Sequence, residues 1–132
     1  MLLTISCPIF QHENGRRHRA SNDRSKYGNK AVRAFLQRGY TVYPVNPNET
    51  EVEGLQAFRT ISDLPGRPET ITVYVPPPRL FEILPAIAAK GCDELWLNPG
   101  TESEEVLAEA SRLKLNVIQA CSIMEKAGGF PS

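Results

Sequence analysis

Residues 20–30 read Ala-Ser-Asn-Asp-Arg-Ser-Lys-Tyr-Gly-Asn-Lys, a polar, small and basic stretch. A helical pattern follows, with Ala31, Val32, Phe35 and Leu36 at i, i+1, i+4 and i+5 and Gly39 as a stop. Small residues entering a helix let backbone N–H groups approach a phosphate, and the helix N-terminus adds a partial positive charge. Arg24, Lys26 and Lys30 add full charges. The chemistry these residues offer is anion binding. The same composition also describes a solvated strand-to-helix loop, so the rest of the chain must decide.

Residues for bond-making are scattered. Cys7, Cys92 and Cys121 lie far apart, without a CxxC spacing, which argues against a disulfide framework or a zinc site and fits a reducing cytoplasm. His12 and His18 are the only histidines. No carboxylate pair marks a turn, and no nucleophile stands beside a base in the pattern. Binding without catalysis is the expectation, with no metal. The 15 basic and 15 acidic residues cancel, which predicts no nucleic-acid partner. Basic residues crowd the first 38 positions, consistent with a local anion site. No stretch is long and apolar enough to span a membrane, and residues 1–9 lack the charged start of a secretory signal.

The elements that must position these residues alternate. Residues 40–45 read as a strand, with Asn46-Pro47-Asn48 closing it. Residues 49–54 are polar, and 56–58 form a short extended piece. Residues 62–65 read as one capped helical turn halted by Pro65. Residues 70–75 form the strongest strand, ended by Pro76-Pro77-Pro78. A helix with Leu80, Phe81, Ile83, Leu84, Ile87 and Ala88 as its stripe runs to Lys90; Pro85 predicts a kink or a late start. Residues 94–97 are a strand and Asn98-Pro99-Gly100 a turn. Thr101 or Ser103 caps a helix striped by Val106, Leu107, Ala110 and Leu113, and residues 116–120 are a last strand. Gly128, Gly129 and Pro131 predict a weakly ordered tail over 122–132. At 132 residues this is a single domain. The alternation predicts an α/β fold, a three-layer doubly wound parallel sheet. Turns after its strands, at residues 20–28, 45–47, 75–77 and 98–100, should open on one sheet edge.

One strand is missing. A doubly wound sheet is built on a central strand that leads into its phosphate turn, yet residues 11–19 are Gln-His-Glu-Asn-Gly-Arg-Arg-His-Arg. Burying three unpaired arginines would cost several kcal/mol each, on the order of a domain's stability. The genetic code offers a frameshift reading. The string can be written CAA CAT GAA AAC GGT CGC CGT CAT CGG, and one base later it reads NMKTVAVIG. With one base restored before Ala20, the product MKTVAVIGASNDR is a hydrophobic strand running into a Gly-Ala-Ser turn. An intact frame across codons 10–20 of the gene would overturn this reading. In the chain as it stands, residues 1–19 are an atypical segment and 2–9 are the candidate replacement strand.

Ala20-Ser21 with its basic loop, Tyr40-x-Val-Tyr-Pro-Val-Asn-Pro47, Ser62-x-Leu-Pro65, Val73-Tyr-Val-Pro76 and Leu95-Trp-Leu-Asn-Pro-Gly100 together resemble the small CoA-binding domain proteins of bacteria and archaea. The nucleotide-binding domain of the succinyl-CoA synthetase alpha subunit shares their fold. The resemblance covers residues 20–121 and implies a Rossmann-like sheet with coenzyme A or an acyl-CoA as ligand. It places Ala20, Ser21, Arg24, Lys26 and Tyr27 at the ADP phosphates, and Asn46 and Pro47 beside the adenosine. Val75, Pro76 and Arg79 then form the next wall, and Asn98 and Gly100 close the pantetheine end. Two positions depart from the pattern: the family's turn glycine falls on Arg19, and relatives often carry Gln where Asn98 stands. One rival reading is a nicotinamide-binding oxidoreductase, which wants a full GxGxxG turn and an acid ending the second strand; Val45-Asn46-Pro47 stands there instead. Another is an interaction domain that has lost its ligand, which Arg19 would favour.

Overall fold

A computed structural model describes the backbone of residues 2–5 and 9–11 and the whole of residues 26–130. Its elements in order are β1 (Leu2–Ile5), β2 (Ile9–Gln11), α1 (Tyr27–Gln37), β3 (Val42–Val45), β4 (Glu51–Val52), β5 (Leu55–Gln56), a 3-10 turn (Ile61–Asp63), β6 (Thr70–Tyr74), α2 (Pro77–Lys90), β7 (Glu94–Leu97), α3 (Glu104–Arg112), β8 (Val117–Gln119) and α4 (Ser122–Glu125).

The parallel strands run in the order β3-β2-β6-β7-β8. Numbered by sequence, that is 2-1-3-4-5, one of the two common doubly wound orders. The central slot is therefore filled by Ile9–Gln11, which pairs with β3 through Phe10↔Val45 and with β6 through Ile9↔Thr72. β1 runs antiparallel to β2, β3 and β6. This revises the sequence reading at one point: Gln11 belongs to a strand, where residues 11–19 read as loop. The rest of that segment, and with it the frameshift reading, lies outside the described residues.

Side-chain alternation explains the layers. In β6 the residues Ile71 and Val73, with Val75 just beyond, join Leu80, Leu84, Ile87, Val106 and Ala110 in a core under α2 and α3. Thr72 and Tyr74 point the other way, toward α4. There Ala31, Val32, Ala34 and Phe35 of α1 pack with Val42, Val52, Ile123 and Ala127. Helices thus cover both faces, giving the Rossmann-like three-layer α/β domain expected.

Four expectations are corrected. The polar stretch after residue 48 holds a hairpin, β4–β5, whose two-residue turn Glu53-Gly54 has positive φ at both positions (49° and 80°). Helix α2 begins at Pro77 and runs through Pro85, so the late start is overturned; burial of Leu80, Leu84 and Ile87 offsets the lost hydrogen bond. Phe81 leaves the stripe and is exposed. The segment read as a weak tail forms α4, with Ser122 and Ile123 fully buried.

Candidate functional site

Three chain segments meet at the carboxyl edge of the sheet. Lys26, Tyr27 and Gly28 open α1, Tyr74, Val75 and Pro76 end β6, and Pro99, Gly100 and Thr101 follow β7; together they line a cavity of about 320 Å³. The chain passes from β2 to β3 on one side and from β6 to β7 on the other, so the cavity lies at the topological switch point between β2 and β6, where sheets of this class bind ligands.

The helix ends divide the wall chemically. The first N–H groups of a helix have no intrahelical acceptor. At α1, Lys26 supplies no side-chain cap and the first turn carries no acid, so the positive end of the helix dipole meets no opposing charge from its own first turn. At α2 the N-cap and the next two positions are Pro76, Pro77 and Pro78, none with an N–H. That wall offers apolar rings. Gly100 sits at φ +93°, a left-handed backbone that favours glycine, and nothing lies within 4 Å of where its Cβ would be.

A second, more enclosed cavity of about 270 Å³ continues from the first, lined by Tyr27, Tyr74, Asn98, Pro99, Cys121 and Phe130. Beneath it runs a buried polar network. Asn98 Nδ2 donates to Thr72 Oγ1 at 2.7 Å and to the Val73 carbonyl at 2.8 Å, while Asn98 Oδ1 accepts from the Ser122 N–H at 2.8 Å. Ser122 Oγ lies 2.8 Å from Thr72 Oγ1 and 3.2 Å from the Tyr74 hydroxyl. Burial pushes the Tyr74 phenol well above its ordinary pKa, against the opposing hydrogen bond from Ser122, so it stays neutral.

Of the residues expected at the site, Lys26, Tyr27, Val75, Pro76 and Gly100 share the first cavity, and Asn98 and Tyr27 line the second. Asn98 faces its own network. Asn46 and Pro47 follow β3 on the same sheet edge but line neither cavity; Asn46 Oδ1 caps its turn by accepting from the Asn48 N–H at 2.7 Å, and its Nδ2 is buried without a partner. Arg79 pairs with Glu82 at 3.1 Å on the surface of α2 and lines neither cavity. Ala20, Ser21 and Arg24 lie outside the described residues. The sequence reading did not single out Gly28, Tyr74, Pro99, Thr101, Cys121 and Phe130 as site residues, though they line the two cavities. Gly28 and Pro99 stood in turns read at the sheet edge, and Tyr74 carried a signal as the polar-tipped residue near the end of the strongest strand. Trp96 is packed away from solvent, 8% exposed, with its Nε1 donating to Glu94 at 2.9 Å. Among the described residues, no three His, Cys, Asp or Glu group for a metal, and no helix is long and apolar enough to cross a membrane.

Over 73 residues the chain is 33% identical to the alpha subunit of an ADP-forming acetate–CoA ligase II from Pyrococcus furiosus, a match that takes in 54% of this chain and 16% of that one. The chain thus spans a small part of that relative's length. Among solved structures, a conserved hypothetical protein from Pyrococcus furiosus superposes with a TM-score of 0.73 at 29% identity, covering 89% of this chain and 95% of the other. A hypothetical protein from Pyrococcus horikoshii gives a TM-score of 0.71 at 24% identity, covering 92% and 81%, and shows the fold alone. A CoA binding domain profile matches residues 20–127, which hold all three turns of the first cavity, and the chain belongs to the CoA binding domain family.

Proposed function

We propose that this chain binds coenzyme A, free or as an acyl thioester, and performs no chemistry on it. One observation carries the reading: the start of α1, with the Lys26 charge and no acid in its first turn, opens into the same cavity as the apolar wall of Val75 and Pro76. A diphosphate joined to a neutral pantetheine arm needs an anion site and an apolar wall side by side. Lys26 and the first N–H groups of α1 would hold phosphate, and Val75, Pro76 and Gly100 would flank the arm. The buried, unpartnered Asn46 Nδ2 is a donor in reserve on the same edge. Support for binding without catalysis comes from the lining itself: the amide of Asn98 and the hydroxyls of Tyr74 and Thr101 are already committed to internal hydrogen bonds. Cys92 and Cys121 are free thiols, in keeping with a reducing cytoplasm.

The test is thermal unfolding with CoA, acetyl-CoA, NAD and ADP, on this chain and on a variant beginning MKTVAVIGAS. CoA at 100 times its dissociation constant should add about 2.7 kcal/mol, raising Tm by roughly 10 °C. A shift with NAD and none with CoA would overturn the reading in favour of a nicotinamide site. Incubation with acetyl-CoA should release no free thiol; steady release would show catalysis.

A further inference from the structure

The second cavity has a different character from the first. Its polar groups are spent on one another. Asn98 uses both amide hydrogens and its oxygen on Thr72, Val73 and Ser122. The Tyr74 hydroxyl is tied to Ser122. What faces the space is ring surface, the Pro99 ring and the Cys121 thiol, which packs as a small hydrophobe. Such a surface, mostly apolar, gains by covering apolar atoms and offers a polar occupant few hydrogen bonds.

The outer wall is a pair of half-exposed rings in contact. Phe130 and Tyr27 have ring centroids 6.2 Å apart at 52°, and Lys30 Nζ stands 5.1 Å from the Tyr27 ring and 5.7 Å from the Phe130 ring. Gly128 and Gly129, with φ of 87° and 140°, reverse the chain to bring Phe130 back. The reversal is anchored by the Gly129 N–H donating to the Ile123 carbonyl at 2.8 Å and by Arg38 Nε donating to the Ala127 carbonyl at 2.7 Å.

We propose that the cavity enclosed by Tyr27, Tyr74, Cys121 and Phe130 receives the acyl group of a short-chain acyl-CoA, with Phe130 setting the chain length admitted. This rests on the reading of the first cavity as the CoA site, from which the second continues through Tyr27, Tyr74 and Pro99. The preferred ligand is then a thioester with a saturated chain of a few carbons, ahead of free CoA.

Dissociation constants for free, acetyl-, butyryl-, hexanoyl- and octanoyl-CoA test this. Affinity should rise about fourfold for each methylene that enters the cavity, then level or fall once the chain outgrows it. Phe130→Ala should move that maximum to longer chains and Phe130→Trp to shorter ones, read as the ratio of hexanoyl-CoA to free CoA affinity, with folding checked by circular dichroism. Equal affinity for free CoA and every thioester would overturn the acyl cavity while leaving CoA binding intact. No binding of any member would overturn both. A maximum unmoved by either variant would remove Phe130 as the limiting wall.

Discussion

Asn98 stands in a turn, where its type reads as a turn-former, but its side chain works inward as the hub of a buried network. Asn98→Ala would leave the Val73 carbonyl, Thr72 Oγ1 and the Ser122 N–H short of a partner. The expected cost is about 3 kcal/mol, seen as a lower urea midpoint with an unchanged slope. Asn98→Asp should fare no better, because a carboxylate oxygen would face the Val73 carbonyl. Glu94 makes a contrasting case on the same face of the sheet. Its Oε1 accepts from Trp96 Nε1 at 2.9 Å, Lys126 Nζ at 3.2 Å and Thr70 Oγ1 at 3.3 Å. The bond from Trp96 chiefly, then Lys126, holds its carboxyl below the usual glutamate value, against partial burial. A depressed pKa in the folded state contributes stability above the unfolded pKa, near 4.5, and loses it as pH falls through the folded value. Glu94→Gln should therefore cost about 1 kcal/mol at neutral pH and flatten the acid limb of a stability–pH curve. An acid limb of unchanged slope would show that Glu94 does not contribute. None of the network's partners could be paired from sequence, since Thr72, Asn98 and Ser122 are 24 to 50 residues apart along the chain and meet only once the sheet forms.

At the scale of elements, helix ends follow rules that a sequence shows well when glycine marks them. Helix α1 stops in a Schellman motif, with the Gly39 N–H donating to Leu36 and the Tyr40 N–H to Phe35, both at 3.1 Å. The hydrophobic contact that goes with the motif is the edge-on pair of Phe35 and Tyr40 rings, 5.3 Å apart. Helix α3 ends the same way, through Lys114 to Ser111 and Leu115 to Ala110 at 3.0 Å, but with exposed Lys114 at φ 62° where glycine is favoured. The left-handed backbone costs a residue with a Cβ about 1–2 kcal/mol, part of which a glycine returns as unfolded-state entropy. Lys114→Gly should raise stability by roughly 0.5 kcal/mol, and Gly39→Ala should lower it by about 1 kcal/mol, both read by chemical denaturation. A loss of stability in Lys114→Gly would mean its side chain contributes more than the backbone strain costs. The same scale shows where legibility ends. Strand β6 and helices α2 and α3 were readable because each repeats its pattern over two turns or several alternations. The β4–β5 hairpin was not, because strands of two residues have no period. Helix α4 was hidden by its length and by the glycines after it, and the site lost Cys121 and Phe130 with it.

At the scale of the whole molecule, the described residues form two cores divided by the main sheet, and they are unequally defended. The face under α2 and α3 is closed by these two amphipathic helices, of 14 and 9 residues, and the 3-10 turn. The other face depends on α1, the β4–β5 hairpin and the short α4. Four residues are a marginal helix alone, so α4 is held by what it buries. Ile123 is fully covered, Ala127 nearly so, and Ser122 joins the network around Asn98. This predicts that residues 122–130, which composition alone marks as dispensable, are integral to the fold. Ile123→Ala should cost 2–5 kcal/mol, as a core truncation does. Deleting residues 122–132 would remove the same burial and also orphan Thr72 and Asn98, for an expected loss of at least about 4 kcal/mol from a total of order 5–15 kcal/mol. Met124, exposed on the same helix, is the control: Met124→Ala should stay within about 0.5 kcal/mol. Urea unfolding of the three variants reads the series directly. A truncated chain that unfolds at the midpoint of the full one would show that α1 and the hairpin close this face unaided, and that the second cavity loses only a wall when the segment is cut.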